Sequence, residues 1–196
     1  MFEMRLGRLH IGVNVLFPAS LLTLMLLDGG QTALWSLAAS LMHESGHVIA
    51  LLWLEKKPVG VTLGAFGMRI RRLDTAAFSY RRQTAVLLAG PAVNLICAAL
   101  LALGGKTGVA CAVHAAIGLF NLLPVEPLDG GQILLCLLAA RGGLPRAERA
   151  VFCLSLAVLF ALLAAGFTLL LLSGYNFTLL AVAVYLALLI FLQRRK

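Results

Sequence analysis

Two histidines and a glutamate stand inside an oily stretch, LMHESGHVIA, at residues 41–50. His43 and His47 are four residues apart, and on a helix that spacing puts both imidazoles on one face, one turn apart. Two nitrogens so placed can bind one zinc ion. Glu44, beside them on the adjacent face, can take a proton from a water that the metal activates. The pattern H-E-x-x-H joins metal binding to hydrolysis for that mechanical reason. Two buried histidines and a glutamate could instead bond one another as plain structure. In a membrane span that alternative is disfavoured, because three desolvated polar groups need a strong partner, and a metal is one.

A catalytic zinc site takes three protein ligands and keeps one position open. The other acids that fall near membrane depth are Glu126 and Asp129, in NLLPVEPLDGG at 121–131. The prolines and glycines of this stretch interrupt a helix, and irregular backbone in lipid is tolerated only where it packs in protein or lines a cavity. Asp129 opens the segment that follows, where the helix dipole favours a carboxylate. It is therefore preferred over Glu126 as third ligand, and Glu126 fits the cytoplasmic mouth of the site. His114 lies seven residues before Asn121, roughly on the same face. A lone histidine in a bundle is more often hydrogen-bonded structure than a ligand.

The elements that must position these groups are membrane helices. Apolar residues make up 61% of the 196-residue chain and charged residues 12%, against about 45–50% and about 25% in soluble domains. Six runs approach the length of about 20 residues that a helix needs to cross hydrocarbon. They fall at about 11–27, 31–54, 83–103, 107–123, 150–172 and 176–192, in one membrane-embedded domain, with a broken segment after the fourth. The first run lacks a small-x-small cleavage site and reads as a retained helix. Between the second and third, PVGVTLGAFGMRIRR at 58–72 alternates with period two and is broken by Gly64 and Gly67, which predicts a β-hairpin. The fold expected is thus all-α and polytopic, with six transmembrane helices and one small hairpin.

The net charge is +8, which in a soluble protein would point to nucleic acid. Here the basic residues lie between apolar runs and set orientation instead. With six spans, Lys106 alone of the sixteen Lys and Arg residues falls on the outer side, so both termini are expected in the cytoplasm. The cysteines, Cys97, Cys111, Cys136 and Cys153, form no CxxC pair and read as small core residues.

HESGH in a membrane helix, then AGPAVNL at 89–95, then NLLPVEPLDGG, in that order, resembles the site-2 protease family of intramembrane zinc metalloproteases. The short six-span layout is most similar to the bacterial stage IV sporulation protease branch. The resemblance covers about residues 5–140. It implies one Zn2+ per chain on His43, His47 and Asp129, with Glu44 catalytic. It also implies that Asn121 contacts substrate or the developing oxyanion, and that Gly90, Pro91 and Asn94 have a structural role. The implied partners are the lipid bilayer and a membrane-tethered protein substrate cleaved in or near its transmembrane segment, with a regulatory membrane protein or a second copy as further candidates. A bacterial cytoplasmic membrane is the implied home. No nucleotide-sensing or PDZ-type domain is read in the chain. A metal transporter would carry polar ligands right across the membrane, and the outer halves of these spans are nearly free of them. A catalytically silent scaffold would not need Glu44, both histidines and Asp129 together.

Overall fold

The structure is a computed structural model and describes residues 2–6, 9–13, 31–55, 59–64, 67–72 and 79–194. Four strands and six helices lie within them: β1 Phe2–Leu6, β2 Leu9–Val13, α1 Gln31–Glu55, β3 Val59–Gly64, β4 Gly67–Arg72, α2 Tyr80–Leu103, α3 Val109–Asn121, α4 Asp129–Gly142, α5 Leu144–Ser173 and α6 Thr178–Arg194. The chain divides into two compact units, residues 1–121 and 122–196.

The first unit holds the sheet and α1 to α3. The strands are ordered β1-β2-β3-β4. β1 pairs antiparallel with β2, from Phe2 opposite Val13 to Leu6 opposite Leu9. β2 runs parallel to β3, with Leu9 opposite Val59 and Val13 opposite Leu63. β3 pairs antiparallel with β4, with Val61 opposite Ile70. An isolated hairpin in an otherwise helical chain is therefore not what forms: the two strands of 58–72 are one side of a four-stranded sheet. β3 is paired on both sides, and the edges are β1 and β4. The expected first span is corrected in part, because residues 11–13 belong to β2. The rest of that span lies outside the described residues.

Small residues bring α1, α2 and α3 close together. A Cβ on Gly46 would stand 2.7 Å from the Ala89 carbonyl oxygen, and one on Gly118 would stand 3.0 Å from the Leu95 side chain. Gly90, Pro91, Asn94 and Ala98 are the buried residues of α2. Gly90, Asn94 and Ala98 recur every fourth residue and so share one face. In lipid, backbones packed this closely gain dispersion contacts that larger side chains would prevent. The Cys111 thiol reaches the Ala98 carbonyl at 3.4 Å across the same seam.

The second unit begins with the turn at 122–128 and continues through α4, α5 and α6. The turn is closed by backbone bonds from Val125 N–H to Leu123 O and from Leu128 N–H to Val125 O, each 2.8 Å. Val125 is fully buried. The Glu126 N–H donates to Ser155 Oγ at 2.8 Å, the Ser155 hydroxyl donates to Val151 O at 2.7 Å, and the Gln132 amide donates to Glu126 O at 2.7 Å. These bonds satisfy polar groups of the break within protein, as backbone at membrane depth requires. Gly166 lets α5 meet α6, since a Cβ there would stand 2.7 Å from the Leu180 nitrogen.

Among the described residues three helices are long and apolar enough to cross a membrane: Thr32–Leu54 within α1, Tyr80–Leu103, and Leu144–Ser173. α3 and α6 are apolar but shorter, at 13 and 17 residues. The expectation of six crossing helices is not reached among the described residues. The fourth run stops at Asn121, where the chain turns. Leu103, Phe160, Leu172 and Trp53 point outward, uncovered by protein, as lipid-facing side chains do. Cys136 is buried and Cys153 faces outward, so Cys153 is not the core residue expected.

Candidate metal centre

His43 and His47 lie in the middle of α1 and are both buried, with 5% and 7% of their surface exposed. Their Nε2 atoms stand 3.2 Å apart, with the rings edge to face at 83°. Two nitrogens bound at about 2.0–2.1 Å to one tetrahedral zinc stand about 3.3 Å apart. The pair therefore fits a shared metal without rearrangement. The local cause is the i, i+4 spacing on a continuous helix, and the glycine between them, Gly46, lets α1 seat against α2.

His47 is held from behind. Its Nδ1 lies 2.8 Å from the Val86 carbonyl oxygen of α2. A carbonyl only accepts, so Nδ1 carries the proton and Nε2 keeps its lone pair for a metal. Gly90 makes room for this ring: a Cβ there would overlap the imidazole, 2.6 Å from its Cε1. His43 is backed by Asn94, whose amide nitrogen is 3.4 Å from His43 Nδ1. Asn94 in turn meets His114 of α3, Oδ1 to Nδ1, at 3.1 Å. Asn94 is fully buried and His114 is 3% exposed. Glu44 is half-buried beside the pair.

Asn121 ends α3, and its amide donates to the Ile117 carbonyl at 3.0 Å. One of its two N–H groups is thus spent along its own helix. In the second unit, Asp129 is the first residue of α4 and the acid of its first turn. Gly130 and Gly131 follow with no room for a side chain. A Cβ on Gly130 would meet the backbone of Leu122 and Leu123, and one on Gly131 would meet that of Val125. The D-G-G run is therefore what lets the helix start directly against the folded-back turn, with its carboxylate at the N-terminal end. Glu126 is held in the turn by its backbone N–H and carbonyl.

The backing of His43 by Asn94 and His114 is absent from the sequence reading, which left Asn94 as structural and His114 alone. The available signal was the recurrence of Gly90, Asn94 and Ala98 at every fourth position, which marks the buried face of α2.

Residues 106–165 match the model of Peptidase family M50. A Synechocystis protein that bears the name of a zinc metalloprotease is 32% identical over 114 residues, covering 53% of this chain and 30% of that protein. Rip3 of Mycobacterium tuberculosis, also named as a zinc metalloprotease, is 31% identical over 129 residues, covering 59% of this chain and 33% of Rip3. This chain matches about a third of the length of these curated relatives. The site-2 protease of Methanocaldococcus jannaschii shares the fold, with a TM-score of 0.64 over 94% of this chain and 92% of that one, at 17% identity. Apolar helices of crossing length, beside a segment similar to a membrane-protease family, point to an integral membrane protein. Over residues 106–165 the chain is thus similar to peptidase family M50, its curated relatives carry the name of zinc metalloproteases, and its fold is like that of a solved site-2 protease.

Proposed function

We propose that the chain is an intramembrane zinc metalloendopeptidase that hydrolyses a peptide bond in or near a transmembrane segment of a membrane-tethered protein. The observation that carries this reading is the pair of Nε2 atoms 3.2 Å apart inside a helix of crossing length. Such a pair is costly in lipid without a cation between the rings. His43 and His47 supply two neutral nitrogens and Asp129 a carboxylate, the donor set of a hydrolytic zinc site with one open position. A zinc ion held there would polarise the scissile carbonyl and bring the pKa of a bound water near 7.

The residues of the chain do the rest. Glu44 accepts the proton of the attacking water and returns it to the leaving amine. His47 keeps its ring oriented through Val86. Asn121 is the candidate oxyanion donor, through the N–H that Ile117 does not take. A substrate helix hides its carbonyls in its own hydrogen bonds and must be opened before cleavage. β4, an edge strand among the described residues, can accept such a segment as a fifth strand. The distribution of basic residues supports both termini in the cytoplasm, with the site nearer that face, and a bacterial cytoplasmic membrane is the home that goes with this reading.

The test is co-expression with a membrane-tethered substrate, comparing the unaltered chain with Glu44→Gln. The variant should lose cleavage by about 10²–10⁴-fold while still binding zinc. Cleavage unaffected by Glu44→Gln refutes the reading, and so would a chain that binds no metal.

A further inference from the structure

We propose that Asn94 and His114 are positioning residues for His43, a relay across three helices that decides which ring nitrogen is offered to a metal. The inference rests on the zinc reading above. The Nε2 of His43 faces that of His47, so Nε2 is the atom that must carry a free lone pair. The proton then sits on Nδ1, and a buried N–H needs an acceptor. What lies against Nδ1 is the Asn94 amide, with its nitrogen at 3.4 Å and its oxygen turned to His114 Nδ1 at 3.1 Å.

Two N–H groups cannot bond each other. An amide's oxygen and nitrogen have nearly the same shape, and a half-turn exchanges them. With a metal on Nε2, the satisfied arrangement presents Asn94 Oδ1 to the His43 Nδ1–H and Nδ2 to His114 Nδ1. His114 then carries its proton on Nε2. At both contacts of the relay a donor then meets an acceptor, and His114, as acceptor, is what selects that amide orientation. Asn94 has no freedom to serve elsewhere: it is fully buried, and a Cβ on Gly118 would lie only 3.3 Å from its own Cβ. The relay does for His43 what the Val86 carbonyl does for His47, but through a group whose direction a second side chain sets.

The experiment measures zinc affinity of the whole chain in detergent by competition with a chromophoric chelator. Asn94→Leu should weaken binding about 10–100-fold. Asn94→Asp, which keeps an acceptor for the His43 Nδ1–H, should stay within a few-fold of the unaltered chain. His114→Leu should also weaken binding, and His114→Gln, which restores an acceptor, should recover part of the loss. A packing role predicts the reverse order at position 94, because Leu is apolar and of similar size while Asp buries a charge. Asn94→Leu binding as tightly as the unaltered chain, Asn94→Asp as weak as Asn94→Leu, or His114→Leu without effect would each overturn the proposal. If Asn94→Leu does not fold, ¹⁵N imidazole spectra of the zinc-loaded unaltered chain decide. His114 with its proton on Nε2 and an unprotonated Nδ1 supports the relay, and a His114 that carries its proton on Nδ1 ends it. Failure of the unaltered chain to bind zinc is a distinct result and sinks the underlying zinc reading instead.

Discussion

The Nδ1 of His47 stands 2.8 Å from the carbonyl oxygen of Val86, 39 residues along the chain on the next helix. That bond fixes the ring and its tautomer before any metal arrives. It exists because Gly90, one helical turn after Val86, has no side chain to push the imidazole away.

Gly90→Ala should therefore act on metal affinity before it acts on folding. Its methyl group would overlap the His47 ring, and zinc binding should fall by about tenfold or more. Gly108→Ala is the control, since a Cβ there meets nothing within 4 Å. Chelator competition on both variants checks this, and equal affinities would show that the ring has another resting place.

Ser155 should matter to the turn that precedes Asp129. Its Oγ accepts the Glu126 N–H and its hydroxyl donates to Val151, and it is fully buried. Ser155→Ala leaves the Glu126 N–H without that partner and should cost about 1–3 kcal/mol. The cost should appear in denaturation of the detergent-solubilised chain. Cleavage should fall as well, because the turn leads directly into the D-G-G run.

The sheet yields a test by strand position. Val61→Pro or Leu63→Pro breaks β3, which is paired on both sides, so these should lower stability as well as cleavage. On the β4 edge, neighbouring residues point their N–H groups alternately toward β3 and away. Of Arg69→Pro and Ile70→Pro, one should therefore leave the sheet and the zinc intact and still weaken cleavage. If neither behaves so, substrate does not add to β4.

What the sequence disclosed follows from the range over which each signal acts. The histidine pair was legible because four-residue spacing is a local property of a helix. The break at 122–128 was legible because Pro124, Pro127 and the two glycines exclude a straight helix locally. The N-terminal strands were missed although Phe2, Met4 and Leu6 alternate with Glu3 and Arg5. The apolar run that starts at Ile11 reads as a span and masks the end of β2. The parallel pairing of β2 with β3 joins residues 50 apart in the chain, as Leu9 with Val59, and no periodicity encodes that. The relay from His43 through Asn94 to His114 is hidden for the same reason, since its partners are 51 and 20 residues apart. Six crossing helices are not reached among the described residues, because an apolar run of near-spanning length does not reveal where the backbone stops being helical.

X-ray absorption at the zinc edge of the purified, zinc-loaded chain tests the proposed centre most directly. The first shell should hold only nitrogen and oxygen at about 2.0–2.2 Å, with the outer-shell scattering of two imidazoles, and Asp129→Asn should alter its oxygen part. Sulfur scattering at about 2.3 Å, fewer than two imidazoles, or a spectrum that Asp129→Asn leaves unchanged would contradict a centre built from His43, His47 and Asp129.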